Sequence, residues 1–399
     1  MRFRLAAVLG LAVVTVGCGS VSPKTQKPAT TSPAATASTS VTASATAPTA
    51  SVQSLGILVG FVNGTGPQSA GYDLALVAPN GKVVAKAHAA VRASIGTGGT
   101  GGGAAAYDLP EVSASSTTVY YLDGDSNVRY LNSDGSSGQV TTVPGTKMVH
   151  AAFAVTPDNR RIAVSLLNYA VSPPSLRLYV QDLHGGANHV EIFSSQHAWV
   201  WPVGWHAGKL VLAATSSPPF SQQGLVWNPY SAPEYHVVDP ADATRLATIG
   251  SGDFQTGCQP SGTLTAAGTA CYHRTATAGG AGYFSTLDWG GRLGSLRVQS
   301  DAWGTAAVAP TGDSLTGCCD SGGTAWIDGA GGRFTTQVHA SVQDWPCFID
   351  DANILFGFLY PTANQHPQII NARRNMDGMV PIQVPATGFC AGVFPAALD

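Results

Sequence analysis

The chain has 399 residues, 47 of them glycine and 25 proline, and only 11% are charged, well under the roughly 25% usual for soluble domains. Little charge with many turn formers fits a repetitive β protein and argues against a helical one, which carries more Glu, Lys and Leu. The formal net charge is −3; nothing in it makes a polyanion-binding footprint, so nucleic acid is set aside as a partner.

Residues 1–18 read MRFRLAAVLGLAVVTVGC. Arg2 and Arg4 precede an apolar run from Leu5 to Val16 that is too short to cross a bilayer as a finished helix. The segment ends Thr15-Val16-Gly17-Cys18 and resembles a bacterial lipobox, with Thr15 where leucine is usual. The resemblance implies a signal peptide cut before Cys18 and a diacylated thiol at Cys18. It also implies a membrane as partner through that acyl anchor, on the extracytoplasmic face of the cell envelope. Two or three acyl chains anchor stably where one does not. The rival reading is an ordinary secretory peptide with a chance cysteine.

Residues 19–53 are dominated by Ser, Thr, Ala and Pro, without acids or aromatics. Such a segment cannot bury enough apolar surface to offset its conformational entropy. It reads as a disordered tether, about 30 Å in root-mean-square span. Residues 54–399 read as one folded domain.

From Leu55 onward, short apolar runs alternate with turn residues, the pattern of strands. LGILVGFV (55–62), YDLALV (72–77), TVYYL (118–122), HAAFAV (150–155), RIAVSL (161–166) and LRLYVQDL (176–183) come first. KLVLAA (209–214), EYHVVD (234–239) and ANILFGFL (352–359) follow. The turns Pro79-Asn80-Gly81 and Ser133-Asp134-Gly135 supply the positive φ that tight hairpins need. The runs recur in units of about 40–50 residues, which marks a repeat architecture.

The hairpin Val155-Thr156-Pro157-Asp158-Asn159-Arg160-Arg161-Ile162-Ala163 resembles those of the TolB-like and WD-repeat-type β-propeller families. A degenerate form of the pattern covers most of residues 55–395. The Trp-Asp and Gly-His of true WD repeats are not in register, which favours the TolB-like relatives. The resemblance implies an all-β propeller. Seven four-stranded blades are expected, over units 55–92, 108–145, 148–195, 198–250, 253–300, 302–340 and 341–386. The first unit has three clear strands, and the terminal segment 388–399 should close it. Six or eight blades, or a pair of smaller β domains, are the alternatives.

Six cysteines follow Cys18, an even number that reads as disulfides in an exported protein. Cys258 and Cys271 fall on consecutive strands of one unit and suit a hairpin bridge. Cys347 on the last inner strand and Cys390 on the closing strand suit a bridge that locks the ring. Cys318 and Cys319 remain as a vicinal disulfide or as free thiols. No spacing of metal ligands is present.

An aromatic or imidazole recurs where inner strands begin: His150, Trp201, Phe254, Trp303, Trp345 and Phe389. These side chains are candidates for a ligand-binding rim at one mouth of the axis; the rival reading packs them between blades. Trp199, Trp201 and Trp205 should share one face of their strand, with His206 opposite. Asp123-Gly124-Asp125 begins like a calcium loop but lacks the later glycine and glutamate, so it reads as a turn. No nucleophile elbow, zinc-protease helix or phosphate loop occurs. The sequence therefore assigns no catalytic residues, no cofactor and no metal. The expected function is binding or scaffolding of a protein, peptide or glycan. A propeller hydrolase or lyase acting on envelope or extracellular polymers is the alternative.

Overall fold

The computed structural model describes residues 53–62, 69–93, 109–219, 229–230, 232–251, 257–274, 282–300, 305–318, 324–329, 334–337, 344–358, 366–373 and 381–395. Cys18 and the tether before residue 53, together with Phe254, Trp303 and Cys319, lie outside these residues. So does the side chain of Cys318.

Each strand is bounded by turn residues, so each pairs with its sequence neighbour and the chain meanders outward four strands at a time. Blade 1 contains β1 (Leu55–Val62), β2 (Gly71–Val77) and β3 (Val83–Ala89). Blade 2 is β4 (Val112–Ala114), β5 (Val119–Asp123), β6 (Asn127–Leu131) and β7 (Ser137–Thr142). Blade 3 is β8 (Val149–Val155), β9 (Arg161–Asn168), β10 (Ser175–Asp182) and β11 (Val190–Ser195). Blade 4 is β12 (Trp199–His206), β13 (Lys209–Thr215), β14 (Glu234–Val238) and β15 (Arg245–Gly250). Blade 5 is β16 (Cys258–Thr265), β17 (Gly268–Arg274), β18 (Gly282–Leu287) and β19 (Leu293–Ser300). Blade 6 is β20 (Thr305–Val308), β21 (Ser314–Cys318), β22 (Thr324–Gly329) and β23 (Phe334–Gln337). Blade 7 is β24 (Asp344–Phe348), β25 (Asn353–Phe358), β26 (Gln368–Asn371) and β27 (Ile382–Gln383).

The last strand, β28 (Phe389–Phe394), returns to pair antiparallel with β1 and becomes the fourth and innermost strand of blade 1. The fold is thus a seven-bladed propeller closed by its own C-terminal strand. Strands β1 to β27 fall inside the seven units read from the sequence and β28 falls in the terminal segment expected to close the first, so the six- and eight-bladed alternatives and the two-domain alternative do not hold. Closure pairs the inner edge of β1 with β28 and so completes the fourth strand of blade 1.

The core is divided into wedges between blades. One apolar cluster joins blades 1 and 2 through Leu74, Tyr72, Val119 and Tyr121. Others join blades 2 and 3, 3 and 4, 4 and 5, 5 and 6, 6 and 7, and 7 and 1. Alternation along each strand supplies both faces of a blade, so every blade contributes to two wedges. Full burial of a side chain such as Phe356 or Leu355 contributes about 1.5–3 kcal/mol.

Local polar chemistry sets the turns. In the Thr156-Pro157-Asp158-Asn159 turn, the Thr156 hydroxyl donates to Asp158 Oδ1 at 2.7 Å and the Arg160 amide donates to the same oxygen at 3.1 Å. Asn159 takes φ 60° there, a value its short polar side chain tolerates. Its amide also bonds blade 2, donating to Thr117 Oγ1 at 2.7 Å and accepting from the Tyr120 hydroxyl at 2.9 Å. The Asp123-Gly124-Asp125 turn binds backbone. Asp123 Oδ1 accepts from Ala90 N at 2.8 Å, and Asp125 Oδ1 accepts from Ala93 N at 2.9 Å. The turn thereby clamps the connector leaving blade 1, on either side of Arg92.

Two disulfides are present. Cys258 and Cys271 join β16 to β17, with Cα atoms 5.4 Å apart. Cys347 and Cys390 join β24 to β28, with Cα atoms 6.0 Å apart. The second ties blade 7 to the strand that closes the ring. Among the described residues, no helix is long and apolar enough to cross a membrane.

Candidate functional site

Each inner strand is reached from the outer edge of the blade before it. The inner strands therefore all begin on one face of the ring, the connector face, and end on the other, the turn face. The four described members of the aromatic set lie near the connector face and do not form an open rim. His150, Trp201, Trp345 and Phe389 are 1%, 3%, 8% and 1% exposed. Trp345 and Phe389 meet edge to face at 5.9 Å in the wedge between blades 1 and 2. Trp201 packs between blades 4 and 5, and its indole N–H donates to Pro229 O at 3.0 Å. Phe254 and Trp303 lie outside the described residues.

The reason is a residue that the sequence reading passed over. Tyr230, from the connection between β13 and β14 of blade 4, reaches across to the first two blades. Its hydroxyl donates to Pro110 O at 2.7 Å and accepts from Val112 N at 3.1 Å. Its ring lies 5.9 Å from that of Phe389. Tyr230 thus reaches across the axis and packs against the cluster that holds Trp345 and Phe389. Burial, and then the nearby Glu111 carboxylate, push its phenol well above the ordinary range, so it stays a neutral donor.

Beside Tyr230 lies a buried ionic cluster. Glu111 Oε1 is 3.8 Å from Arg92 Nη1 and 3.9 Å from His150 Nδ1. All three side chains are buried, with 6%, 8% and 0% exposure for Glu111, Arg92 and His150. Arg92 also donates to the Ala151 carbonyl. The three residues come from the connector between blades 1 and 2 and from β8, so the cluster pins three consecutive blades together. Enclosed charges of this kind are held by their partners, because an isolated one would be costly to bury.

The axial cavity lies toward the turn face. It has a volume of about 80 Å³ and is lined by inner strands of blades 1 to 5. Ile57, Ala114, Val155, Val203, Leu264 and Val393 form most of its apolar wall. Its three hydroxyl-bearing side chains, Tyr230 among them, already have partners. Ser113 Oγ accepts from Val155 N at 2.9 Å, and Thr263 Oγ1 donates to Pro346 O at 3.3 Å. Trp205 also lines it, with its indole N–H held by Ala154 O at 3.2 Å. No Asp, Glu, His, Lys or Arg is among the described lining residues. The wall can hold an apolar group, and it presents no pair of ionisable groups for proton transfer.

The strand carrying Trp205 departs from simple alternation. A bulge between Pro202 and Gly204 shifts the register of β12 on β13. Trp205 consequently joins the wedge with blade 3 while Trp201, before the bulge, joins the wedge with blade 5; Trp199, at the start of the strand, also packs into the blade 3 wedge. That extra residue breaks the expected common face of Trp201 and Trp205. His206, expected to oppose all three, lies 5.8 Å from Trp289 on the side of Trp201.

No family profile matches the chain, and no curated protein matches its sequence. Solved propellers do resemble it in shape. An oligogalacturonate lyase in complex with manganese aligns at 11% identity over 75% of this chain and 81% of its own, with a TM-score of 0.47. A protein from Lactobacillus plantarum aligns at 14% identity over 85% and 98%, with a TM-score of 0.44. The Myceliophteria thermophila Cps50 (Swd1) β-propeller domain aligns at 10% identity over 77% and 93%, with a TM-score of 0.41. Likenesses of this degree carry no argument about activity.

Proposed function

We propose that this chain is an exported, acyl-anchored propeller lipoprotein of TolB-like kind that binds a protein or peptide through its axial cavity. The uncharged, largely apolar wall of that cavity carries the reading. Such a wall favours a Leu-, Ile- or Phe-type side chain. A sugar would need free hydrogen-bonding groups, whereas the hydroxyls of Ser113, Thr263 and Tyr230 already have backbone partners. The lipobox-like end at Cys18 supports the anchor, and two disulfides suit an oxidising compartment.

Two measurements test this. The full chain, expressed in a bacterial host and fed an alkyne fatty acid, should incorporate label that Cys18→Ala abolishes; label retained in that variant defeats the anchor. Arrays of peptides and of envelope glycans should show binding to peptides with a large aliphatic or aromatic residue. Ala114→Phe, which fills the cavity, should weaken that binding by about tenfold or more, since a lost apolar side-chain burial of ~1.5–3 kcal/mol corresponds to that range. Glycan binding, polymer cleavage, or peptide binding indifferent to Ala114→Phe would defeat the cavity reading.

A further inference from the structure

Blade 5 carries a group of soft ligands on one face of a hairpin. Cys258 on β16 pairs directly with His273 on β17. Cys271 lies two residues before His273 on the same strand, so all three side chains project from the same side of the sheet. The two sulfurs and an imidazole nitrogen lie within 4.8 Å of one another. His273 Nε2 is 3.2 Å from Cys271 Sγ. It is also 2.9 Å from Ser285 Oγ, on the next strand, β18, a contact that ligation through Nε2 would replace. The imidazole stacks on Tyr283 at 4.4 Å with planes 10° apart, and the Arg297 guanidinium lies 5.5 Å over the other ring. The ring orientation is therefore set by neighbours on two sides. Cys258 and His273 are half-buried, so reagents from solvent reach the group.

We infer that Cys258, Cys271 and His273 form a redox-gated site for a thiophilic cation such as Zn²⁺, closed while the disulfide stands and opened by a dithiol reductant. A dithiol gives two electrons and two protons to the Cys258–Cys271 bond and leaves as its own disulfide. The bond becomes two thiols. Binding of Zn²⁺ then releases both thiol protons to solvent. Two thiolates cancel the charge of the divalent ion, and neutral imidazole supplies the third ligand.

The geometry suits that set. With Zn–S near 2.3 Å and Zn–N near 2.0–2.1 Å, the sulfur-to-nitrogen edge of a tetrahedron is roughly 3.5 Å. The present Cys271 Sγ to His273 Nε2 separation of 3.2 Å is close to it. The fourth position falls to water, because three protein ligands are assembled here. The strand ladder through β16, β17 and β18 fixes the backbone on which all these groups stand.

The test uses the full chain, treated with a dithiol, desalted without oxygen and titrated with Co²⁺ alone as a spectroscopic substitute for zinc. The reduced chain should develop thiolate-to-cobalt charge-transfer absorption that saturates and is displaced by Zn²⁺, while the untreated chain should not. His273→Gln keeps every cysteine and the disulfide, and should weaken Co²⁺ binding by about tenfold or more, at least what loss of a supporting outer residue costs. Paired Cys258→Ser and Cys271→Ser should remove the absorption, which separates this site from the thiols of Cys347 and Cys390. Absence of absorption in the reduced chain, absorption unchanged in the paired serine variant, or affinity unchanged in His273→Gln would each overturn the site.

Discussion

Cys347 and Cys390 join the inner strand of the seventh blade to the inner strand of the first, with Cα atoms 6.0 Å apart at a sequence separation of 43. The bridge sits where the ring would open. On the chain-entropy account a loop of this length contributes about 4 kcal/mol, against about 3 kcal/mol for the shorter loop of Cys258–Cys271. Paired alanines at Cys347 and Cys390 should therefore lower the urea midpoint more than paired serines at Cys258 and Cys271. Equal losses would count against closure as the weak point of the ring.

Tyr230→Phe removes the hydroxyl that spans from blade 4 to blade 2. The Val112 amide and the Pro110 carbonyl lose a partner in a buried setting. The expected cost is about 1–3 kcal/mol, the penalty of leaving a buried polar group unsatisfied. Chemical unfolding of the variant measures it directly, and a change below a few tenths would show that Tyr230 merely rests on the axis.

Gly262 sits on β16 at φ +77°, and a Cβ there would overlap the Ala306 carbonyl of the neighbouring inner strand. Both the backbone conformation and the space require glycine. Gly262→Ala should destabilise by more than about 1 kcal/mol, read as a lowered melting temperature with an unchanged far-ultraviolet spectrum.

The Asp158 carboxyl is held below its usual pKa, first by the Thr156 hydroxyl and then by the Arg160 amide. Its folded pKa is depressed, so its contribution is fully present above the unfolded value near ~3.9 and is lost as pH falls through the folded value. Stability of the wild type should therefore fall more steeply below about pH 4 than that of Asp158→Asn. Parallel acid limbs for the two proteins would remove the turn from the account.

The blades were legible because alternation and turn chemistry repeat. Pro79-Asn80-Gly81, Ser133-Asp134-Gly135 and Thr156-Pro157-Asp158-Asn159 punctuate the strands, and Gly81, Gly135 and Asn159 take the positive φ that such turns demand. The closing strand was legible because the first unit lacked a fourth strand. The site was less so. An aromatic at the start of an inner strand can face the axis or a neighbouring blade, and one bulge, as at Pro202 and Gly204, reverses the faces of the residues that follow it, Trp205 among them. Arg92, Glu111 and Tyr230 belong to connections between strands, where no period announces a position. Their meeting depends on the ring bringing distant connections together. The weak calcium-like motif at Asp123 and Asp125 acts as a backbone clamp, a role visible only once Ala90 and Ala93 are seen beside it.

The register at closure has a consequence for handling the protein. Leu55 pairs with Phe394 at the far end of β28, and Ile57, two residues on, already forms part of the cavity wall. The polypeptide thus joins the propeller on the same face toward which the cavity lies. A bulky reporter fused just ahead of Leu55 would crowd the opening, whereas one inserted at a hairpin between second and third strands would stand on the opposite side and leave it clear.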